Sequence, residues 1–83
     1  MSNVTISKNA KSKAEKYQIR KKFDKQVRFL RVNPQHNSLN LKPLKSMSAN
    51  GIWEFRIDRH YRGLVIKRGT NSVEVYDVIK HLK

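Results

Sequence analysis

The chain has 83 residues and no cysteine, and its 19 lysines and arginines outnumber 6 aspartates and glutamates, which gives a formal net charge of +13. This length predicts a single domain over residues 1–83, and the lack of cysteine excludes a disulfide framework, a thiolate nucleophile and a cysteine-based zinc site. No apolar run approaches the roughly 20 residues that cross a bilayer, and no signal-peptide segment begins the chain. We therefore expect a cytoplasmic protein without a membrane partner.

The first part of the chain predicts a short strand followed by helix. Asn3–Ser7 has the alternation of a strand, and Ser7 is also a candidate N-cap. Residues 8–32 contain neither glycine nor proline, which allows one long helix or two helices with a break near Tyr17–Ile19. The helix must end before Asn33-Pro34, because the residue before a proline is held out of the α region. Four apolar residues at spacings of four, four and three form a stripe for packing on a sheet: Ile19, Phe23, Val27 and Leu30.

The opposite face of this helical segment is basic. Residues 1–32 hold ten basic residues and two acids, so few carboxylates compensate the lysines and arginines. A charge run on a helix is most often a solvated face, but this imbalance favours a surface that attracts a polyanion. Nucleic acid or the ribosome fits better than an anionic membrane or an acidic protein. Charge alone does not distinguish binding RNA from cutting it.

Residues 35–50 form a long polar connection, with Leu39, Leu41 and Leu44 as expected anchors onto the core. Connections of this length in small domains are often functional. His36 lies within it, and we expect this histidine to be an exposed loop residue.

Two strands joined by a charged turn follow, in the segment GIWEFRIDRHYRGLVI. The first alternates an apolar face with a polar one, the apolar residues being Trp53, Phe55 and Ile57 and the polar ones Glu54, Arg56 and Asp58. Residues 61–66 continue after the turn, with Gly63 and Val65 on one face and Arg62, Leu64 and Ile66 on the other. Antiparallel pairing would place Arg62 near Arg56 and Glu54, on the face away from the core.

A last strand completes the predicted sheet. Residues 68–71 predict a hairpin turn, and residues 72–79 predict a strand with Val73, Val75 and Asp77 opposed to Glu74, Tyr76 and Val78. The fold class is therefore α+β, with a short N-terminal strand and one or two helices packed on a mainly antiparallel sheet of three further strands.

The sequence lacks the common signatures of metal, phosphate-loop and catalytic-dyad chemistry. His36, His60 and His81 are far apart and lack the paired spacing of metal sites. Glycine-rich loops, nucleophile elbows, paired catalytic carboxylates and the familiar nucleic-acid-binding motifs are also missing. We expect neither a metal nor a cofactor.

The order of elements resembles the RelE/ParE superfamily of bacterial toxin–antitoxin toxins over about residues 16–81. The features that carry the resemblance are the helix end at Asn33-Pro34, the Pro43-Leu44-Lys45 anchor, and a tryptophan-containing strand followed by Tyr61-Arg62. Many toxins of the RelE branch cut mRNA in the ribosomal decoding site, whereas ParE toxins poison gyrase. The segment before Lys16 is shorter than the usual helical hairpin of the family, which indicates that one helix is reduced or fused with the next.

The resemblance to the nuclease branch implies a catalytic set. Arg62 matches the arginine that contacts the scissile phosphate, and Arg56 matches a basic strand position of the same sites. Glu54 falls where some members have a basic residue, so its role stays open. His81 matches the C-terminal histidine that acts as an acid in YoeB-like toxins, although Leu82 stands where those toxins have tyrosine.

These residue types suit RNA cleavage by its own 2′-hydroxyl, which needs a base, cations on the phosphorane and an acid for the leaving oxygen. Guanidinium pairs bidentately with phosphate oxygens and stays charged. Histidine suits acid or base work near neutral pH, and Glu54 suits the role of base if the arginines keep it ionised.

The sequence hypothesis is a toxin that cleaves translated mRNA as a ribosome-dependent, metal-independent endoribonuclease. A cognate antitoxin, acidic and partly disordered until it binds, would hold it inactive. Two alternatives stay open: a non-enzymatic ParE-like gyrase inhibitor, and a basic RNA-binding module without catalysis. The residues expected to contact RNA or the ribosome are Lys21, Lys22, Lys25, Arg28, Lys42, Lys45 and Arg59.

Overall fold

The computed structural model describes residues 3–43 and 51–80, which form an α+β fold as predicted. The elements in chain order are β1 Asn3–Ile6, α1 Lys8–Lys16, α2 Arg20–Val32, a 3-10 turn Asn37–Leu39, β2 Lys42–Pro43, β3 Ile52–Arg56, β4 Tyr61–Lys67 and β5 Ser72–Lys80. Neither helix in the described part of the chain is long and apolar enough to cross a membrane.

The strands form one five-stranded sheet in the order β1-β5-β4-β3-β2. β1 pairs parallel with β5, and the other neighbours pair antiparallel. The sequence predicted four strands and treated residues 35–50 as a connection, which is wrong for β2. Two residues are too few to show the alternation by which a strand is recognised.

The helical segment is divided into two helices, one of the two predicted arrangements. The Ser7 hydroxyl accepts a hydrogen bond from the Ala10 N–H and begins α1, as expected of an N-cap. Gln18 has a left-handed φ of 60°, and the chain breaks there before α2 begins at Arg20. Of the two alternatives for this segment, a reduced helix or one fused with the next, the fused helix is not found, and α1 is a separate, short helix of nine residues.

The apolar stripe of α2 packs on one face of the sheet, and all four of its predicted residues are buried. α2 ends at Val32, immediately before Asn33-Pro34, as the proline rule requires. Leu39 is fully buried and Leu41 packs partly buried against the same core, whereas Leu44 lies outside the described residues. The sheet contributes these residues to the core: Val4, Phe55, Val65, Val73, Val75 and Val78, and Ile57 joins them from the residue after β3.

A β-bulge changes which residues of β5 reach the core. The register of β4 with β5 shifts between Leu64 and Val65, and Tyr76 is the extra residue in β5. Val78 is fully buried in the core, so its predicted place on the opposite face is wrong. Since one extra residue reverses the alternation beyond it, the simple two-residue period fails at this point.

Two further residues differ from expectation. His36, predicted to be exposed, is half-buried, and its ring stacks on Phe29 with centroids 3.9 Å apart. Trp53, predicted to lie on the buried face, is only half-buried because it stands in β3 beside the two-residue β2. Both rings therefore line the surface near the end of α2.

Gly63 lies opposite Phe55 across β3 and β4, and the aromatic ring fills the space of the missing side chain. A Cβ at Gly63 would clash with two ring atoms of Phe55, a residue that is fully buried and therefore held by its neighbours. The Phe55 ring thus occupies the space that a side chain at position 63 would need.

We expect Gly63→Ala to destabilise the protein by about 1–3 kcal/mol, because a methyl group must displace a packed ring. Urea denaturation measures the loss. Gly69→Ala is the control, since a Cβ there lies 3.8 Å from the nearest atom, the Ser72 Cβ. Phe55→Leu combined with Gly63→Ala should cost less than the sum of the two single changes, and strict additivity would contradict the shared volume.

Candidate active site

Arg56 and Arg62 lie directly opposite each other on the face of the sheet away from the helices, as predicted. Ile57 N–H donates to the Tyr61 carbonyl at 3.1 Å, which makes the next pair along, Arg56 with Arg62, a non-hydrogen-bonded pair. In such pairs the Cα atoms are about 4.5 Å apart and the side chains are close. The pairing of β3 with β4 therefore starts two arginine side chains next to each other on one face of the sheet.

The six carboxylate side chains of the protein all pair with other cations. The ion pairs are Glu15 and Asp24 with Arg20, Glu54 with Lys42, Asp58 with Lys22, Glu74 with Arg68, and Asp77 with Lys13. Among the described residues, no carboxylate lies within ion-pair distance of Arg56 or Arg62. Like charges opposite each other destabilise a sheet, so this pair is suited to an anion supplied from outside.

Arg62 is held by the turn, whereas Arg56 is exposed. Arg62 Nη1 donates to the Asp58 carbonyl at 3.0 Å and to the Tyr61 carbonyl at 3.3 Å, and its side chain is half-buried. A guanidinium has five N–H donors, and these contacts involve one nitrogen. Nε and Nη2 of Arg62, to which no described residue binds, remain to orient an anion.

Asp58 organises the turn. Its Oδ1 accepts from the backbone N–H of His60 at 2.8 Å and of Tyr61 at 3.0 Å, and Oδ2 lies 3.5 Å from Lys22 Nζ. Burial by itself raises the pKa of Asp58, but the hydrogen bonds from His60 and Tyr61 and the charge of Lys22 outweigh it, and the pKa falls below its ordinary value. The ionised carboxylate thus fixes the turn that holds Arg62.

Glu54 lies on the same face, two residues before Arg56, and its carboxylate is largely enclosed. Its side chain is 12% exposed, and Oε1 lies 3.7 Å from Lys42 Nζ, the residue opposite it in β2. The sequence predicted Glu54 and Lys42 separately, one as a catalytic residue and one as an RNA contact. The missed strand β2 brings them together.

Gln26 is a buried polar residue that the sequence analysis missed. It is 5% exposed, and its amide nitrogen donates to the Arg56 carbonyl at 2.8 Å and to the Ser38 carbonyl at 3.1 Å. These bonds connect α2 to the end of β3 at the position of Arg56. The position of Gln26 between Phe23 and Val27 in the apolar stripe indicates that it faces the core, but it does not indicate which groups it binds.

The predicted RNA contacts that the structure describes are all exposed, namely Lys21, Lys22, Lys25, Arg28, Lys42 and Arg59. A cleft of about 310 Å³ runs from Lys22 and Lys25 on α2 to Arg56. Lys45, His81 and Leu82 lie outside the described residues. Within the described ranges, no group of three or more histidine, cysteine, aspartate or glutamate residues could hold a metal ion.

Solved bacterial toxin structures share this fold. A YoeB/ParE toxin from Agrobacterium tumefaciens has a TM-score of 0.72 at 20% identity, covering 96% of this chain and 99% of the toxin. A YoeB dimer from Staphylococcus aureus gives 0.71 at 20%, covering 96% and 97%, and YafQ from E. coli strain BL21(DE3) gives 0.71 at 14%, covering 96% and 93%. No family model and no curated protein sequence matches the chain. The protein therefore has the RelE/ParE-like toxin fold, as predicted.

We expect Asp58→Asn to destabilise the protein in a pH-dependent manner. Asparagine keeps an oxygen for the two backbone N–H groups but removes the charge. Because folding lowers the pKa of Asp58, the stabilisation by its charge is present above the unfolded-state pKa of about 4 and is lost as the pH falls through the folded-state value. Urea denaturation at about pH 6 and about pH 3 should therefore show a difference from wild type that shrinks in acid.

Asp58→Ala is the comparison, since it removes the acceptor as well as the charge. It should destabilise at both pH values, by about 1–3 kcal/mol, because two backbone N–H groups lose their partner. An Asp58→Asn difference that is equal at the two pH values would contradict the assignment.

Proposed function

We propose that the protein is a toxin that cleaves mRNA on the ribosome. The observation that carries this proposal is the pair Arg56 and Arg62, opposed on the face of the sheet away from the helices and without a carboxylate partner among the described residues. The fold shared with YoeB and YafQ supports the same conclusion. A phosphodiester is the anion that two adjacent guanidinium groups fit best in a protein of charge +13.

The proposed reaction uses the 2′-hydroxyl of the RNA itself. As its oxygen bonds to phosphorus, a base takes the hydroxyl proton, and an acid protonates the departing 5′-oxygen when the P–O5′ bond breaks. The products are a 2′,3′-cyclic phosphate and a 5′-hydroxyl end. Arg62, oriented by the turn, and the exposed Arg56 would stabilise the charge on the phosphorane.

Glu54 is the proposed base and His81 the proposed acid. Glu54 lies on the face of the two arginines, where Lys42 balances its charge and Arg56 follows it along β3. His81 follows the last residue of β5, and β5 lies beside β4 and its Arg62. Histidine and carboxylate can exchange protons near neutral pH, so the proposed chemistry requires no metal.

The ribosome would supply the alignment of the substrate. Orientation of a reacting group accounts for a large share of many rate enhancements, and a docked mRNA arrives with its backbone held. The exposed lysines and arginines of α2, with the cleft that joins them to Arg56, are suited to ribosomal RNA. Binding and cleavage would thus use adjoining surfaces.

An antitoxin is the proposed inhibitor. The same positive surface would attract an acidic, partly disordered segment, which orders as it binds and covers the arginines. Inhibition of this kind weakens with salt, because surface charge pairs are screened.

We expect Arg62→Ala to lower mRNA cleavage by about 100- to 1,000-fold, the usual effect of removing one group that stabilises a transition-state charge. Primer extension on an mRNA in cell-free translation, with and without ribosomes, measures new 5′ ends. Arg62→Lys keeps a charge without the planar donor fork and should recover little. The matched control is Arg68→Ala, which removes an exposed arginine that pairs with Glu74 at the β4–β5 turn.

Cleavage that survives in Arg62→Ala would contradict the proposed catalytic role, provided that urea denaturation shows the variants folded. Intact mRNA with the wild-type protein, together with DNA damage in expressing cells, would favour inhibition of gyrase. Binding to RNA with neither cleavage nor growth arrest would favour a plain RNA-binding module.

We also expect charge removal from α2 to weaken the salt dependence of RNA binding. Replacing Lys21, Lys25 and Arg28 with glutamine should reduce the slope of log affinity against log salt by about 2, because each contact with a single-stranded phosphate contributes about 0.7. Fluorescence anisotropy of a labelled single-stranded RNA measures it. Glutamine at the exposed Lys8, Lys11 and Lys16 of α1 removes equal charge. Equal slopes for the two variants would show that α2 has no special role.

A further inference from the structure

A cleft of about 440 Å³ opens between β3 and the segment that follows α2, away from the arginine pair. Within the described ranges, seven residues between 34 and 53 line it, and none of these seven is a lysine, arginine, aspartate or glutamate. These four residue types make up 30% of the chain, with a net charge of +13. The described lining of the cleft is therefore uncharged on a strongly cationic protein, which suits an uncharged group attached to a polyanion.

One wall of the cleft is apolar and offers an aromatic surface. Trp53 and Leu41 are half-buried, and Pro34 follows the end of α2. Trp53 has the same strand alternation as Phe55, so it lies on the helix side of the sheet, at the edge where the helix has ended. A half-buried indole is a surface on which a planar ring can stack.

The rim of the cleft provides amide groups. Gln35, Asn37 and Asn40 are exposed and line the cleft. A side-chain amide has both donor and acceptor atoms, and it therefore matches the edge of a nucleobase, which also presents both. Apolar stacking with adjacent amides is the combination by which proteins recognise unpaired bases.

The segment that holds these amides is fixed by its own contacts. His36 stacks on Phe29, and its Nδ1 accepts from the Ser38 N–H at 3.1 Å. Asn40 adopts a left-handed φ of 47°, and its N–H donates to the Asn37 carbonyl at 3.2 Å. The buried Leu39 anchors the turn from below. The cleft is thus largely formed before any ligand arrives.

We propose that this cleft binds an unpaired base of single-stranded RNA by stacking on Trp53 and hydrogen bonding to the rim amides. The proposal rests on the proposed function for the identity of the polymer. Trp53 and the arginine pair lie on opposite faces of the sheet, so a strand that reaches both passes around the two-residue β2. The bound base therefore belongs to a different nucleotide of the strand from the one held by the arginines.

Trp53 is the one tryptophan of the chain, so its fluorescence reports on this cleft alone. The test titrates the full chain carrying Arg62→Ala, without ribosomes, with a hexa-adenylate RNA and with an abasic hexamer of the same backbone. We expect the hexa-adenylate to quench Trp53 and the abasic hexamer, equal in charge, to leave its emission unchanged. Asn37→Ala should weaken the quenching titration about tenfold, the scale of one lost base contact. Asn71→Ala, at an exposed asparagine of the β4–β5 turn, should not.

Equal quenching by the two hexamers would overturn the proposal, since charge alone would then explain binding. Anisotropy of a labelled hexa-adenylate that reports binding without any change in Trp53 emission would also overturn it. The assay uses a variant designed not to cleave RNA, and its outcome is therefore separate from the nuclease proposal. If quenching depends on the base but the wild-type protein does not cut mRNA, the base-binding cleft is supported and the nuclease proposal is contradicted.

Discussion

The packing of the Phe55 ring over Gly63 holds β3 and β4 in the register that sets Arg56 opposite Arg62. A shift of one residue would exchange the two faces of β3, burying Arg56 and exposing Phe55. That exchange costs both the core packing of an aromatic ring and the hydration of a guanidinium. The β3–β4 register that buries Phe55 in the core is therefore also the register that sets Arg56 opposite Arg62.

The arginine pair differs from the other charges of the protein because it lowers the stability of the fold. All six carboxylates pair with cations, and several of these pairs join separate elements, such as Lys13 of α1 with Asp77 at the bulge of β5 and Lys22 of α2 with Asp58 in the β3–β4 turn. The arginine pair receives no such compensation from the described residues. Two like charges at close range cost stability, and the cost is relieved when an anion binds. A site of this kind is most stable when occupied, by the proposed substrate or by an acidic inhibitor.

Features that depend on short-range periodicity could be predicted from the sequence, and features that depend on tertiary partners could not. The apolar stripe of α2 and the proline that ends it are local, as is the alternation that put Arg56 and Arg62 on one face. β2 consists of two residues that are extended only because β3 binds them, and nothing local marks Tyr76 as a bulge. Lys42 and Glu54 are brought together by the pairing of β2 with β3. Because β2 was not predicted, these two residues were predicted separately and not as an ion pair. Gln26 was missed because a polar residue within an apolar stripe acquires a role only when buried partners are known.

The two edges of the sheet differ in a way that bears on how a strand of RNA would approach. Asn3 and Ser7 donate their N–H groups to the β5 side, so the Val4 carbonyl between them points outward, and Arg31 Nη2 donates to it at 3.0 Å. A long-range contact thus covers part of the β1 edge, as edge strands require. At the other edge, β2 is short and has the uncharged cleft on one side and the arginine face on the other. A cationic surface attracts any polyanion, whereas a cleft with a stacking ring binds bases. The proposed affinity for RNA would thus come from the arginine face, and the proposed selectivity for a base would come from the cleft on the other face of the same edge.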